Sequence, residues 1–350
     1  MNVEDLLGQA GEWLKGTGPE SDVVISSRVR LARNLHRFPF LTVASRAVRT
    51  EIEKFVRPRL EDARLPCKLS YWPLEELSPL DRMLLVERHL ISREHAQAEG
   101  ERGVALGADE SVAIMVNEED HLRLQALRSG LQLEEAYGDV DRLDTALEGT
   151  LHFAFSSRFG YLTACPTNVG TGLRISVMMH LPAVVLAKQV DKVLQSLQRL
   201  NYTVRGLYGE GTSPLGDFYQ VSNQVTLGKS EGDIIAEMRR TVPEVLKFER
   251  QWRQKLLEDE LRKVEDRVWR AWGILRNARR MSSEEAIELL SALRLGVNLR
   301  LITGLSVRTI NELFLFLQPA HLQKLERRVL EAEERDAARA DFIRRRLEGP

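Results

Sequence analysis

The stretch D-V-V-I-S-S-R-V-R at residues 22–30 opens with β-branched residues and then alternates, so as an extended segment it sets Arg28 and Arg30 on one face. A second stretch, L-R-I-S-V-M-M-H-L at 173–181, puts Arg174, Ser176, Met178 and His180 on one face and Ile175, Val177, Met179 and Leu181 on the other. Strands of this kind are half-buried, with guanidinium groups turned toward a cleft. Around them, S-V-A-I-M-V at 111–116 reads as a buried strand running into N-E-E-D-H at 117–121, from which a helix through Arg123 and Leu127 is predicted. Residues 45–100 read as helical, with S-P at 78–79 suiting a helix start. Residues 150–176 read as a hairpin, because Leu151, Phe153 and Phe155 alternate with smaller or polar residues. A helix at 183–200 leads to a strand from Tyr202, a Gly-rich loop at 206–216 and a last strand at 218–225. The reading is an α+β fold, an antiparallel sheet flanked by helices over residues 22–252, with a short helical segment at 1–21 before it.

Beyond Pro243 the character changes to long helices. Leu257, Leu261, Val264, Val268, Trp272 and Leu275 share one stripe, which suits either an internal core or a dimer surface. Ser282 and Glu285 form an S-x-x-E capping box, and a highly charged helix is predicted over 319–347. Residues 253–350 are therefore expected to form a separate all-α domain.

Composition excludes several classes. The 350 residues carry 50 basic against 51 acidic side chains, so no global field argues for nucleic acid. Cys67 and Cys165 are too few for a disulfide framework, and the first residues lack a basic stretch followed by an apolar one. A cytoplasmic protein with free thiols, not spanning a membrane, is the expectation.

The chain lacks the G-x-x-x-x-G-K-[ST] phosphate loop and the H-R-D and D-F-G motifs of ordinary protein kinases. Eight residues separate Cys165 from Arg174, too many for a phosphatase loop of the C-x-x-x-x-x-R kind. What remains is a set of arginines beside carboxylates: Arg28, Arg30, Arg123, Arg174 and Arg205, with Glu119 and Glu210. Guanidinium holds phosphate oxygens bidentately and keeps its charge, so several together make a polyphosphate clamp without a Walker loop.

S-S-R-V-R at 26–30, V-N-E-E-D-H-L-R at 116–123, C-P-T-N-V-G-T-G-L-R at 165–174 and V-S-N at 221–223 resemble, in the same order, the signatures of the phosphagen (guanidino) kinases. The resemblance implies their catalytic fold, ATP with Mg²⁺, and a guanidino acceptor. It places Ser26, Ser27, Arg28, Val29, Arg30, Arg123, Arg174, Ile175, Ser176, Val177, Met178, Arg205, Gly206, Leu207, Tyr208, Gly209 and Glu210 around the nucleotide, and His89 against the adenine. By the same resemblance Glu119 and Glu210 hold the acceptor guanidinium, with Cys165 beside it as a thiolate; a small buried thiol is the other reading of that cysteine. Gly170, Thr171 and Gly172 permit close backbone approach.

Small-guanidino kinases carry a sizeable helical domain ahead of the S-S-R-V-R motif, where this chain has residues 1–21, and they lack the long helical tail found here. This arrangement resembles the protein-directed branch of the family in bacteria. The resemblance implies phosphorylation of arginine side chains, a heat-shock repressor and damaged proteins as substrates, a zinc-finger activator, an AAA+ protease as the downstream system, and a homodimer or higher oligomer. Arg335, Asp336 and Arg339 match an R-D-x-x-R-A phosphoarginine-binding motif of that branch, and as i, i+1 and i+4 on a helix they are expected to approach one allosteric ligand. A free-arginine kinase and an inactive phosphoarginine-binding adaptor remain as alternatives.

Overall fold

The computed structural model describes residues 3–8, 10–62, 64–206 and 215–348. Two short 3₁₀ turns, Val3–Leu6 and Glu12–Leu14, stand where a helical segment is expected; Trp13 and Leu14 are buried. The elements then run β1 (Val24–Arg33), α1 (Arg46–Leu60), β2 (Leu69–Pro73), α2 (Pro79–Glu87), α3 (Arg93–Gln97), β3 (Gly103–Gly107), β4 (Val112–Val116), β5 (Leu122–Ser129) and α4 (Leu133–Glu148). There follow β6 (Phe155–Ser156), β7 (Gly160–Tyr161), β8 (Leu173–His180), α5 (Pro182–Leu186), α6 (Val190–Arg199), β9 (Tyr202–Arg205) and β10 (Phe218–Asn223). The rest is helical: α7 (Glu231–Asp259), α8 (Leu261–Asn277), α9 (Ser283–Asn298), α10 (Val307–Phe316), α11 (Pro319–Leu325) and α12 (Ala332–Leu347).

Eight strands form one antiparallel sheet in the order β2-β3-β4-β5-β1-β8-β10-β9. The expected helix through Arg123 and Leu127 is instead β5. Leu122, Leu124 and Ala126 alternate with Arg123, Gln125 and Leu127, and pairing with both β4 and β1 outweighs the helix propensity of Leu, Arg and Gln. Strand β2 likewise lies inside the stretch read as helical, and the 183–200 helix breaks into α5 and α6 at Lys188, where φ is +55°.

The two sheet faces bury different things. One carries Val29, Leu31, Leu124, Ala126, Ile175, Val177 and Val221 into a core closed by α4 and α7. On the opposite face α2 covers Val104, Leu106, Ala113 and Met115, while α9 and α10 cover Ile25, Leu127, Met178 and Phe218. The middle of that face is left open. The helical region is thus packed onto the sheet, and α7 runs through the 252/253 boundary as one helix. On α8, Val264, Val268 and Leu275 are buried, whereas Leu261 and Trp269 are exposed. The predicted charged helix over 319–347 is two helices, α11 and α12. Among the described residues no helix is long and apolar enough to cross a membrane.

Arg33, at the end of β1, is buried and donates to Asp144 of α4 from Nε (3.0 Å) and Nη2 (2.7 Å), with Nη1 donating to the Thr171 carbonyl (2.9 Å). Its guanidinium also lies 3.5 Å from the Tyr161 ring centroid. Asp144→Ala would leave this cation buried without its counter-ion, so urea unfolding is expected to show a loss of about 3–5 kcal/mol.

Candidate active site

The open middle of the sheet is a cleft of about 870 Å³. Arg28, Arg30, Arg123, Arg174 and Arg205 line it, together with His89, Glu118, Glu119 and Cys165. Strand register does the gathering. Arg30 is directly opposite Arg174 across β1 and β8, Ala32 is opposite Arg123 across β1 and β5, and Gln220 of β10 is opposite Arg205 of β9. Because side chains alternate, Arg28 and Arg30 share this face while Val29, Ile175 and Val177 point into the apolar core and are fully buried. Those three side chains therefore do not face the cleft. Ser27 is also turned away: its Oγ donates to the Gly130 carbonyl (2.8 Å) and accepts from the Gln132 amide (3.0 Å), tying β1 to the turn before α4. Ser26, Ser176 and Met178 lie on the cleft side, beneath Arg28.

The guanidiniums depress one another's proton affinity. Burial, then Arg174, Arg123 and Arg205, pull Arg28 down to about 10. Burial, then Arg28, Arg123 and Arg174, push Arg30 well below its ordinary value, and its buried Nε has no hydrogen-bond partner among the described residues. Gln220, which the sequence reading did not single out, accepts from Arg28 Nη2 at 3.0 Å. The alternation of Phe218, Gln220 and Ser222 is the signal that would have found it.

A second missed residue is Glu118. Its carboxylate accepts from Ser92 Oγ (2.7 Å) and from the Glu119 amide (2.7 Å), and pairs with Arg123 (2.8 Å). Burial opposes its charge, but Arg123 with these donors holds it below the usual glutamate value. Glu119 is half-exposed and pairs with Arg123 at 2.5 Å. The remainder of the N-E-E-D-H segment is scaffold. Asp120 accepts from the Ala164 amide (2.7 Å) and Asn34 Nδ2 (2.6 Å), joining the carboxylate loop to the cysteine loop. His121 accepts from the Leu35 amide at Nδ1 and donates from Nε2 to the Pro39 carbonyl.

Cys165 caps a 3₁₀ turn, Pro166–Asn168, with its Sγ 3.0 Å from Thr167 Oγ1; it is half-exposed in the cleft, which is not a buried packing position. Gly170 and Gly172 do allow close approach, but by the protein itself: a Cβ on either would stand 2.6 Å from the carbonyl oxygen of Thr226 or Ala32 respectively. His89 follows α2 with φ +58°, lines the cleft, and is pushed down to about 3 by burial, Arg28 and Arg93. Gly206 is buried beyond β9; Leu207, Tyr208, Gly209 and the expected catalytic Glu210 lie outside the described residues.

Far from the cleft, the R-D-x-x-R segment differs from its expected geometry. Arg339 is buried and donates to the carbonyls of Leu317 (3.0 Å) and Met281 (2.7 Å) and to Asp336 (2.7 Å). Arg335 folds back onto the Leu330 carbonyl (2.6 Å). Arg339 and Asp336 thus staple α12 to its neighbours, and Arg339 is not presented to solvent.

A sequence model described as the C-terminal catalytic domain of ATP:guanido phosphotransferases matches residues 51–252, and one described as the protein-arginine kinase McsB C-terminal domain matches 261–349. A protein-arginine kinase of Halothermothrix orenii is 46% identical over 99% of both chains, and one of Pelotomaculum thermopropionicum is 48% identical over 99% of this chain and 98% of its own. The chain belongs to the protein-arginine kinase family. Among solved structures, the duplicated taurocyamine kinase of Schistosoma mansoni with bound transition-state-analogue components superposes with a TM-score of 0.62 at 27% identity, covering 70% of this chain and 35% of that one. A lombricine kinase shares the fold at a TM-score of 0.58 and 24% identity, over 70% of this chain and 69% of its own. These are guanidino kinases by name.

Five converging guanidiniums make this cleft a strained site. Arg28→Ala is expected to stabilise the nucleotide-free protein by about 1–3 kcal/mol at neutral pH, because the folded guanidinium binds its proton less tightly than the unfolded one. The gain should fade as pH rises through about 10, and inorganic tripolyphosphate should raise the variant's Tm less than the parent's.

Proposed function

We propose that the chain transfers the γ-phosphoryl group of ATP to arginine side chains of other proteins. One observation carries this reading: arginines from four strands share a single cleft with the carboxylates of Glu118 and Glu119 and with Cys165. Guanidiniums suit phosphate oxygens and carboxylates suit a guanidinium, so one cleft holds two reactants of opposite charge. Presenting a neutral arginine at pH 7 costs roughly 7–9 kcal/mol, from a pKa of about 12.5–13.8. Glu119 lowers this barrier by aligning the acceptor and taking its proton as the N–P bond forms and the bond from phosphorus to the β–γ bridging oxygen breaks, releasing ADP. The arginines stabilise charge on the transferring group.

Mg²⁺ would arrive with the nucleotide, with Glu118 as a hard oxygen donor beside Arg123 and phosphate and water as its other ligands. When bound it neutralises charge on the β- and γ-phosphates. Among the described residues no group of three His, Cys, Asp or Glu forms a cage of its own.

The wider setting is part of the same proposal, supported by the full-length likeness to protein-arginine kinases: a cytoplasmic enzyme acting on a heat-shock repressor and damaged proteins, with a zinc-finger activator and an AAA+ protease. A homodimer is further supported by the exposed Leu261 and Trp269 on α8. Phosphoarginine binding at the R-D-x-x-R segment is tested best at Arg335, which is outside the buried staple: Arg335→Ala should abolish binding by calorimetry without lowering Tm.

With ATP and a denatured protein substrate, Glu119→Gln is expected to lose on the order of a hundredfold or more in rate while ATP affinity stays nearly intact. Turnover near normal would remove Glu119 from the acceptor side. Cys165→Ser should cut activity severely without unfolding the chain. Free arginine offered in place of the protein should be a poor acceptor; efficient turnover would instead make this a small-guanidino kinase.

A further inference from the structure

The helical region grips α2 at both ends. Lys324 of α11 pairs with Asp81 near the start of α2 at 2.5 Å. At the other end Glu87, the last residue of α2, accepts from the amides of Ala320 (2.7 Å) and His321 (2.9 Å) and from His321 Nδ1 (2.7 Å). Arg88, fully buried, donates to Glu110 at 2.7 and 2.6 Å and approaches His321 Nε2 at 3.1 Å. These partners assign the tautomer: Nδ1–H donates to Glu87, and the Nε2 lone pair receives an Arg88 N–H. Burial favours this neutral form.

What the grip fixes is the next residue. His89 sits in the left-handed region with φ +58° and lines the cleft beside Arg28, Val86 and Ile91. Its ring meets Trp13 edge to face at 4.8 Å, and behind it lies a narrow seam lined by Phe314, Leu315 and Gln318. A polyphosphate belongs among the guanidiniums. A purine ring belongs where an uncharged imidazole and the apolar Val86 and Ile91 replace them.

We propose that His321 is a positioning residue for the base end of the nucleotide site: through Glu87 and Arg88 it sets His89, so the helical region tunes ATP affinity without touching ATP. The inference rests on the ATP reading above. Its experiment compares equilibrium binding of ATP and of inorganic tripolyphosphate to the full chain and its variants. His321→Leu should bind ATP about tenfold more weakly and raise the KM for ATP by a similar factor, with tripolyphosphate affinity and kcat at saturating ATP unchanged. His321→Asn, whose side-chain N–H stands in for Nδ1–H, should recover most of the loss. Should His321→Leu fail to fold, Glu87→Gln takes its place with the same expected split. Unchanged ATP affinity in the folded variant, or equal weakening toward ATP and tripolyphosphate, would overturn the proposal. A parent protein that binds neither ligand would instead strike the ATP reading itself.

Discussion

Arg30 and Arg174 stand directly opposite one another across β1 and β8, with Arg28, Arg123 and Arg205 on the same face. Like charges facing each other across a sheet repel, and no strand would choose this register for its exposed side alone. The register is imposed from the other face, where Val29, Leu31, Ile175, Val177 and Val221 pack against α4 and α7. A slip of one residue would turn every one of these into the cleft. The apolar core therefore holds the cations together, and Glu118, Glu119 and Gln220 answer part of their charge. A polyanion would answer the rest, which is why the site reads as a clamp and not as a set of surface ion pairs.

The same face is shared between three tenants. Helix α2 covers it at β3 and β4, α9 and α10 cover the far end of the central strands, and the cleft is the gap. The helical region is a wall of that cleft's surroundings and is fixed by buried polar contacts that allow few alternative seatings. His180 donates from Nε2 to Ser291, whose hydroxyl donates to Asp217, while Arg294 donates to His180 Nδ1 and to the carbonyls of Ser21 and Asp22. Burial and Arg294 keep His180 neutral. Such fully satisfied networks specify orientation, since shifting the helices would leave charged groups buried without partners.

The division of labour within N-E-E-D-H follows from the same logic. Asn117, at φ +60°, turns the chain between β4 and β5 and donates to the carbonyls of Arg49 and Glu101. Asp120 and His121 point inward to hold neighbouring loops, leaving Glu118 and Glu119 to face Arg123. A five-residue motif thus supplies both the carboxylates and the scaffold that aims them.

Alternation in 22–30 and 173–181 determined by itself that Arg28, Arg30 and Arg174 share a sheet face, because side chains on a strand repeat every second residue whatever the strand pairs with. The motif order likewise pointed to the family and to Glu119 and Cys165, both of which line the cleft. The segment through Arg123 and Leu127 reads as a helix from its Leu, Arg and Gln, and only pairing with β4 and β1 made it strand β5. Tertiary structure alone decided that Glu118 joins the site through Ser92, that Gln220 holds Arg28, that Arg339 is spent inside the fold, and that His321 meets Arg88, the residue beside His89. These are contacts between residues distant in sequence or on abutting elements. Local pattern carries no record of them, because each depends on how the helical region settles on one face of the sheet.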